Sequence, residues 1–186
     1  TGTLDIDLYG FFKVSGEFGI EQRKTSIVLA DDTASTFTGE VLTIGASNVT
    51  AFAGLNGGTA DELGLQLSDV TFGLALIGVK DDGIGEVDTR KWTTLQASAG
   101  EVSFVGLGDD FTLNASGIEV NINQASDTNA DQTVVDYVGD GVTSLSIPVG
   151  TQTDLTFDID GDQGELIQAA GTMTLKVASF FRVSGN

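Results

Sequence analysis

Residues 2–16, GTLDIDLYGFFKVSG, return 169 positions later as residues 171–185, GTMTLKVASFFRVSG. Seven of the fifteen pairs are identical, and Leu4/Met173, Ile6/Leu175 and Leu8/Val177 exchange one apolar side chain for another. Recurrence at a fixed spacing is the mark of a repeat architecture. The chain therefore reads as one period of about 169 residues, a single domain over residues 1–186 whose first strand segment, 2–16, recurs at 171–185. A unit of this kind must fold so that its last segment can take the place of its first. Neighbouring copies of the same repeat are then its expected partners.

Apolar residues alternate with polar ones along most of the chain, and helical spacing is nearly missing, which predicts an all-β fold. The alternation comes in paired runs around a polar or small dipeptide. Leu63, Leu65 and Leu67 lead into Ser68-Asp69 and leave as Val70, Phe72, Leu74 and Leu76. The figure recurs around Ser47-Asn48, Gly100-Glu101, Ser116-Gly117 and Gly171-Thr172. If each dipeptide is a two-residue turn, the apolar residues on either side, such as Leu67 and Val70, share one inward face. Ser, Asn, Asp and Gly suit that place because they tolerate left-handed backbone or cap their own turn.

Two architectures satisfy the pattern. The favoured expectation is a β-solenoid-like repeat with short polar corners, since the small residues Ala46, Ala99, Ala115 and Ala170 suit a narrow interior. The alternative is an antiparallel β-sandwich or barrel in which the same dipeptides close hairpins.

Composition narrows the function. The net charge is −19, with 27 acidic residues against 8 basic ones. Nucleic acid is not an expected partner, because neutralising phosphates needs clustered Lys and Arg. Cys and His are both absent, so disulfides, zinc sites and His-based catalysis have no residues to build them. Some facing pair of carboxylates is almost inevitable among 27 acids, and no further feature singles one out. No enzymatic activity is expected. No run approaches the eighteen or so apolar residues of a membrane-spanning helix, so membrane insertion is not expected either.

The order of five stretches carries a resemblance. VLTIGASNVTAFAGLNGG (Val41 to Gly58), LGLQLSDVTFGLALI (Leu63 to Ile77), WTTLQASAGEVSFVGL (Trp92 to Leu107), IEVNINQASD (Ile118 to Asp127) and the FFKVSG/FFRVSG ends resemble the roughly 170-residue tandem repeat units of giant bacterial extracellular, adhesin-like surface proteins. The resemblance implies an extracellular or cell-surface location and a structural or adhesive role. The expected function is a structural repeat of a long bacterial stalk or filament, joined end to end by continued β-structure. The alternatives are a calcium-dependent or carbohydrate-binding adhesin module, or a pilin-like subunit that polymerises by strand donation.

Four places carry candidate sites. Phe11-Phe12 and Phe180-Phe181 are adjacent aromatics on strands, so one of each pair must point outward, and a repeat-to-repeat seam would cover them. Asp158, Asp160 and Asp162 set carboxylates at alternate positions around Gly161, which makes them the candidate calcium ligands. They do not reproduce the spacing of a helix-loop-helix calcium loop, and an acidic turn is the simpler reading. The acid pairs Asp31-Asp32, Asp81-Asp82 and Asp109-Asp110 read as solvated loops. Trp92, beside Arg90-Lys91, is the candidate sugar contact, set against a ring that seals a core edge.

Overall fold

A computed structural model describes residues 1–31, 34–81, 83, 88–108, 111–126, 132–139, 141–151, 154–177 and 181–186. Its strands are β1 (Gly2–Leu8), β2 (Phe12–Val28), β3 (Thr36–Leu55), β4 (Leu63–Val79), β5 (Lys91–Val105), β6 (Phe111–Ala125), β7 (Ser146–Ile147), β8 (Leu155–Thr156), β9 (Leu166–Val177) and β10 (Phe181–Gly185). Eight of them form one sheet in the order β1-β2-β3-β4-β5-β6-β9-β10, and β7 pairs with β8. The fold is all-β, as the alternation predicts. No helix among the described residues is long and apolar enough to cross a membrane.

The favoured solenoid departs from this structure. Coils of a solenoid pair strand to counterpart in parallel, whereas every ladder in the large sheet is antiparallel. The dipeptides read as corners lie inside strands: Ser47-Asn48 in β3, Ser68-Asp69 in β4, Gly100-Glu101 in β5, Ser116-Gly117 in β6 and Gly171-Thr172 in β9. The hairpin alternative misplaces its turns there too, since Leu63–Leu67 and Val70–Leu76 belong to one strand, β4.

The physical reason lies in the backbone. A two-residue type I′ reversal needs positive φ at both central residues. Here one residue has it in each of β3, β4 and β6, with φ of 51° at Asn48, 53° at Asp69 and 57° at Gly117, and neither residue of the β5 and β9 dipeptides does. A single left-handed residue kinks a strand and does not reverse it. Ladder registers shift at this level, between Ser15/Glu17, Ala46/Val49 and Ser116/Glu119. An extra residue in a bulge returns the alternation to the same face, so the sequence keeps its apolar residues on one side across the kink.

Directly opposed residues of an antiparallel pair share a face, and the registers therefore sort the sheet into rows. One face carries Ile20–Ile44–Leu74–Leu95–Ile122–Ile167, then Phe18–Ala46–Phe72–Ala97–Val120–Ala169. Beyond the kink it carries Ile6–Val14–Ala51–Leu67–Val102–Ala115–Met173. These are the side chains that alternation marks as inward, and nothing among the described residues covers them. Ile20, Leu65, Leu76 and Ile167 are all exposed.

The core lies on the opposite face. There Arg23–Val41–Ile77–Trp92–Ala125 and Glu21–Thr43–Ala75–Thr94–Asn123–Leu166 form the rows. The segment between β6 and β9 folds over them, so that Ile27, Leu29, Val41, Ala75, Ile77 and Trp92 of the sheet side bury against Val135, Tyr137, Leu145, Ile147, Phe157 and Ile159. The cover reaches only one end of the sheet. Strand halves beyond the kink have no such layer over them.

A third row explains how closely the cover sits. Gly19, Gly45 and Gly73 are register partners on three adjacent strands. A Cβ added at Gly19 or Gly45 would stand 2.4 or 2.5 Å from the Pro148 carbonyl oxygen, and one at Gly73 would stand 3.0 Å from Leu155. Three missing side chains make a trough, and residues 147–149 lie in it. Isolated glycines inside strands commonly mark such close backbone approach.

Candidate functional site

The recurring segment forms the same hairpin twice. In the first copy Leu8 opposes Phe12, Ile6 opposes Val14 and Leu4 opposes Gly16. In the second copy Val177 opposes Phe181, Leu175 opposes Val183 and Met173 opposes Gly185. Each pair is displaced by 169 residues, so sequence period and ladder register coincide.

The two hairpins differ in their surroundings. β9 is paired on both sides, with β10 on one and β6 on the other, where Phe111, Leu113 and Ala115 oppose Val177, Leu175 and Met173. β1 pairs with β2 on one side, and its other side is an edge of the sheet. The β6–β9 ladder thus displays what a strand of β6 type does to the outer edge of this hairpin.

Local chemistry sets the first turn. Tyr9 and Gly10 take φ of 52° and 70°. The Gly10 amide donates to Asp7 Oδ1 at 2.9 Å and the Phe11 amide to Leu8 O at 3.0 Å. That amide bond, followed by the hydrogen bond and charge of Lys13, holds the Asp7 carboxyl below its ordinary range; Lys13 Nζ lies 3.3 Å from Asp7 Oδ2. The β3–β4 loop then reaches back, with Gly54 N donating to Phe11 O and Gly57 N to Gly10 O, both at 2.9 Å. Asp5, Asp7, Lys13, Ser15, Thr50 and Glu62 line a shallow polar groove beside this contact.

Phe11 sits in the turn and Phe12 opens β2, and both are exposed. Phe181 opens β10. Phe180 lies outside the described residues, as do Asp32, Asp82, Asp109 and Asp110.

The candidate calcium ligands do not converge. Asp158 accepts a hydrogen bond from Gln96 Nε2 across the sheet, while Asp160 Oδ1 accepts from the Asp162 amide at 3.0 Å and caps the 3-10 turn Gly161–Gln163. Among the described residues no three acidic side chains form a metal-binding group.

Trp92 is a core residue. Its ring is 2% exposed, stacks on Phe37 at 4.7 Å, lies 5.5 Å from the Arg90 guanidinium, and donates from Nε1 to Thr133 O at 2.8 Å. The sugar contact expected there is corrected to the core-sealing role, because the buried ring has no free face for a sugar to stack on.

Comparison with protein-family models, with curated proteins and with solved structures finds no match.

Sequence reasoning missed the polar clamps that hold the cover. Thr94 Oγ1 lies 2.8 Å from the Tyr137 hydroxyl and donates to Asn123 Oδ1 at 3.2 Å, and Asn123 Nδ2 donates to Val135 O at 2.7 Å. Burial pushes the Tyr137 phenol far above its ordinary value, the Thr94 bond opposing it weakly, so it stays protonated. At the far margin the Thr151 hydroxyl and amide both donate to Glu17 Oε2, which holds that carboxyl below its usual range. The signal available was Thr94 and Asn123 in β5 and β6, each beside one apolar residue, Leu95 and Ile122. Their partners lie 12 to 43 residues away, in a segment with no periodicity of its own.

Proposed function

We propose that this chain is a structural repeat of a long bacterial extracellular stalk or filament, in which one antiparallel sheet runs on from period to period. The observation that carries the reading is the recurrence of one hairpin at 169-residue spacing in one register, with its outer edge paired in the second copy and open in the first. In the continued sheet, β9 and β10 are the β1 and β2 of the following period. Each period contributes the six strands β1 to β6, and the segment covering the core returns once per period.

Charge fits an extended rather than a globular assembly. Nineteen net negative charges on the chain favour spacing the units along a line. The mechanism needs no cofactor. Strand donation between separate subunits remains a second reading, favoured by one observation: Asp5 and Asp7 on the first hairpin are replaced by Thr174 and Lys176 on the second, so the two edge hairpins carry opposite charge.

Small-angle scattering on chains of one, two and three joined periods tests the filament. Six strands at about 4.8 Å each add about 29 Å of length per period. Independent domains joined by flexible linkers would instead give a variable increment and a scattering profile of separate bodies, which would overturn continuity.

A further inference from the structure

The uncovered apolar face has the size and texture of half an interface. We propose that it packs against the same face of a second copy, forming a two-sheet sandwich. This contact lies on the flat of the sheet and is independent of the edge-to-edge continuation above.

Three observations favour a second copy as occupant. The first is area. The rows from Ile20–Ile167 to Ile6–Met173 span six or more strands and about eight residues along each, or about 760 Å² at 4.8 Å between strands and 3.3 Å per residue, before the flanking Leu8, Phe12, Leu65 and Leu76 of the same face are added. A stable protein interface needs about 800 Å² per partner.

The second is charge. None of the 27 acidic and 8 basic residues stands in these rows, although the chain carries −19 overall. On this face the charged residues Lys24, Glu40 and Lys91 stand in a row beyond these, so the apolar rows are where two such copies meet without facing their like charges.

The third is relief. Phe18–Ala46–Phe72–Ala97–Val120–Ala169 alternates large and small side chains from strand to strand. Packed sheets interdigitate about 10 Å apart, and a two-fold axis through this row sets the phenylalanines of one copy over the alanines of the other. A lipid surface needs no such relief. The only Trp is buried under the cover, away from this face.

Sedimentation equilibrium of the full chain tests the proposal. The wild type should be a dimer at tens of micromolar. Glu substitutions at side chains already exposed in the single sheet, the pair Ile20→Glu/Leu76→Glu and separately Ile167→Glu, should keep the far-ultraviolet spectrum of the folded chain and weaken dimerisation at least tenfold. Thr3→Pro and Ser184→Pro, on the outermost strands with side chains on the opposite face, should leave the dimer in place. A monomeric wild type at 100 µM would overturn the proposal. So would a dimer lost with the edge variants and kept with the face variants, which would assign the association to the sheet edges. Retention of a monomeric wild type on phosphatidylcholine vesicles, abolished by the Glu variants, would assign the face to lipid and equally overturn it.

Discussion

The two ends of the large sheet are made from the same strands and have opposite fates. At one end the rows through Val41, Ala75 and Trp92 are sealed by the segment between β6 and β9, and both the apolar groups and the polar clamps are dry. Beyond the kink the strands run on without that segment over them: Phe52 is buried against Gly57 of the β3–β4 loop, and on the open face Leu8, Phe12, Leu65, Met173 and Val177 stay exposed. On the covered side the row beyond the kink is largely polar, Asp7–Lys13–Phe52–Gln66–Ser103–Asn114–Thr174, where the sealed end carries Val41, Ile77 and Trp92. The trough of Gly19, Gly45 and Gly73 and the buried Thr94–Asn123–Tyr137 network are likewise confined to the covered end. An apolar face alone therefore does not fix where a sheet acquires its core; room for a close backbone and partners for its polar groups do.

The largest effect expected of this contrast is in truncation. Trp92→Ala should cost about 3–5 kcal/mol, the range of buried aromatic deletions, whereas Leu65→Ala on the open face should cost about 1 kcal/mol or less in a dilute monomer. Urea unfolding of both variants measures it. Equal losses would erase the distinction between the ends, and a Leu65→Ala loss that grows with protein concentration would sharpen it by reporting the face-to-face dimer.

Next comes the trough. Gly45→Val places a side chain where the Pro148 carbonyl lies and should destabilise by about 1–3 kcal/mol, the usual cost of overpacking. Gly78→Ala, with nothing within 4 Å of the added Cβ, should change stability by no more than about 0.5 kcal/mol. Matching effects would mean that the cover does not rest on the glycines.

Removing the Tyr137 hydroxyl should matter less. Tyr137→Phe leaves Thr94 Oγ1 short of one partner in a buried site, at a cost of about 1–2 kcal/mol. The loss should appear as faster amide exchange around Val135 to Tyr137, with β1 unchanged.

The smallest effect is a pH dependence at the margin of the cover. Glu17 is held below its ordinary value of about 4.3 first by the Thr151 hydroxyl and then by the Thr151 amide. A depressed carboxyl stabilises the fold above its unfolded pKa and loses that contribution as pH falls through the folded one. Protection of the Thr151 amide should therefore fall below pH about 4 in the wild type, and Glu17→Gln should remove that pH dependence. Asp7 and Asp88, lowered chiefly by the Gly10 amide and the Arg90 side chain, titrate in the same direction.

Much of this was legible in the residues. Period-two alternation is a property of one strand and its two faces, so it identified β-structure and grouped Leu63, Leu65 and Leu67 correctly on one face. It does not say which face will be covered, and the face it marks as inward is the open one. Ser68-Asp69 carries the right residue type for left-handed backbone, but one such residue and two are spelled alike in sequence while bending a strand by very different amounts. The recurrence at both ends was readable because identity at fixed spacing needs no tertiary information, but the segment reads as one strand and folds as two, with Tyr9 and Gly10 in the turn between them in the first copy. Trp92 and the Thr94–Asn123–Tyr137 clamp depend on a cover segment whose contacts are long-range, and no local pattern announces them.

Amide hydrogen exchange at the outer edge of the recurring hairpin tests the continued sheet most directly. In the single chain, the amides of β1 that point away from β2 should exchange quickly, while those of β9 that face β6 should be protected. Joining a preceding period to the same chain should slow the outer β1 amides at Asp5 and Asp7, which alternate with the β2-facing Leu4, Ile6 and Leu8, to the rates of Thr174 and Lys176. If those amides stay fast with the preceding period in place, the sheet does not run from one period into the next, and the account fails at its centre.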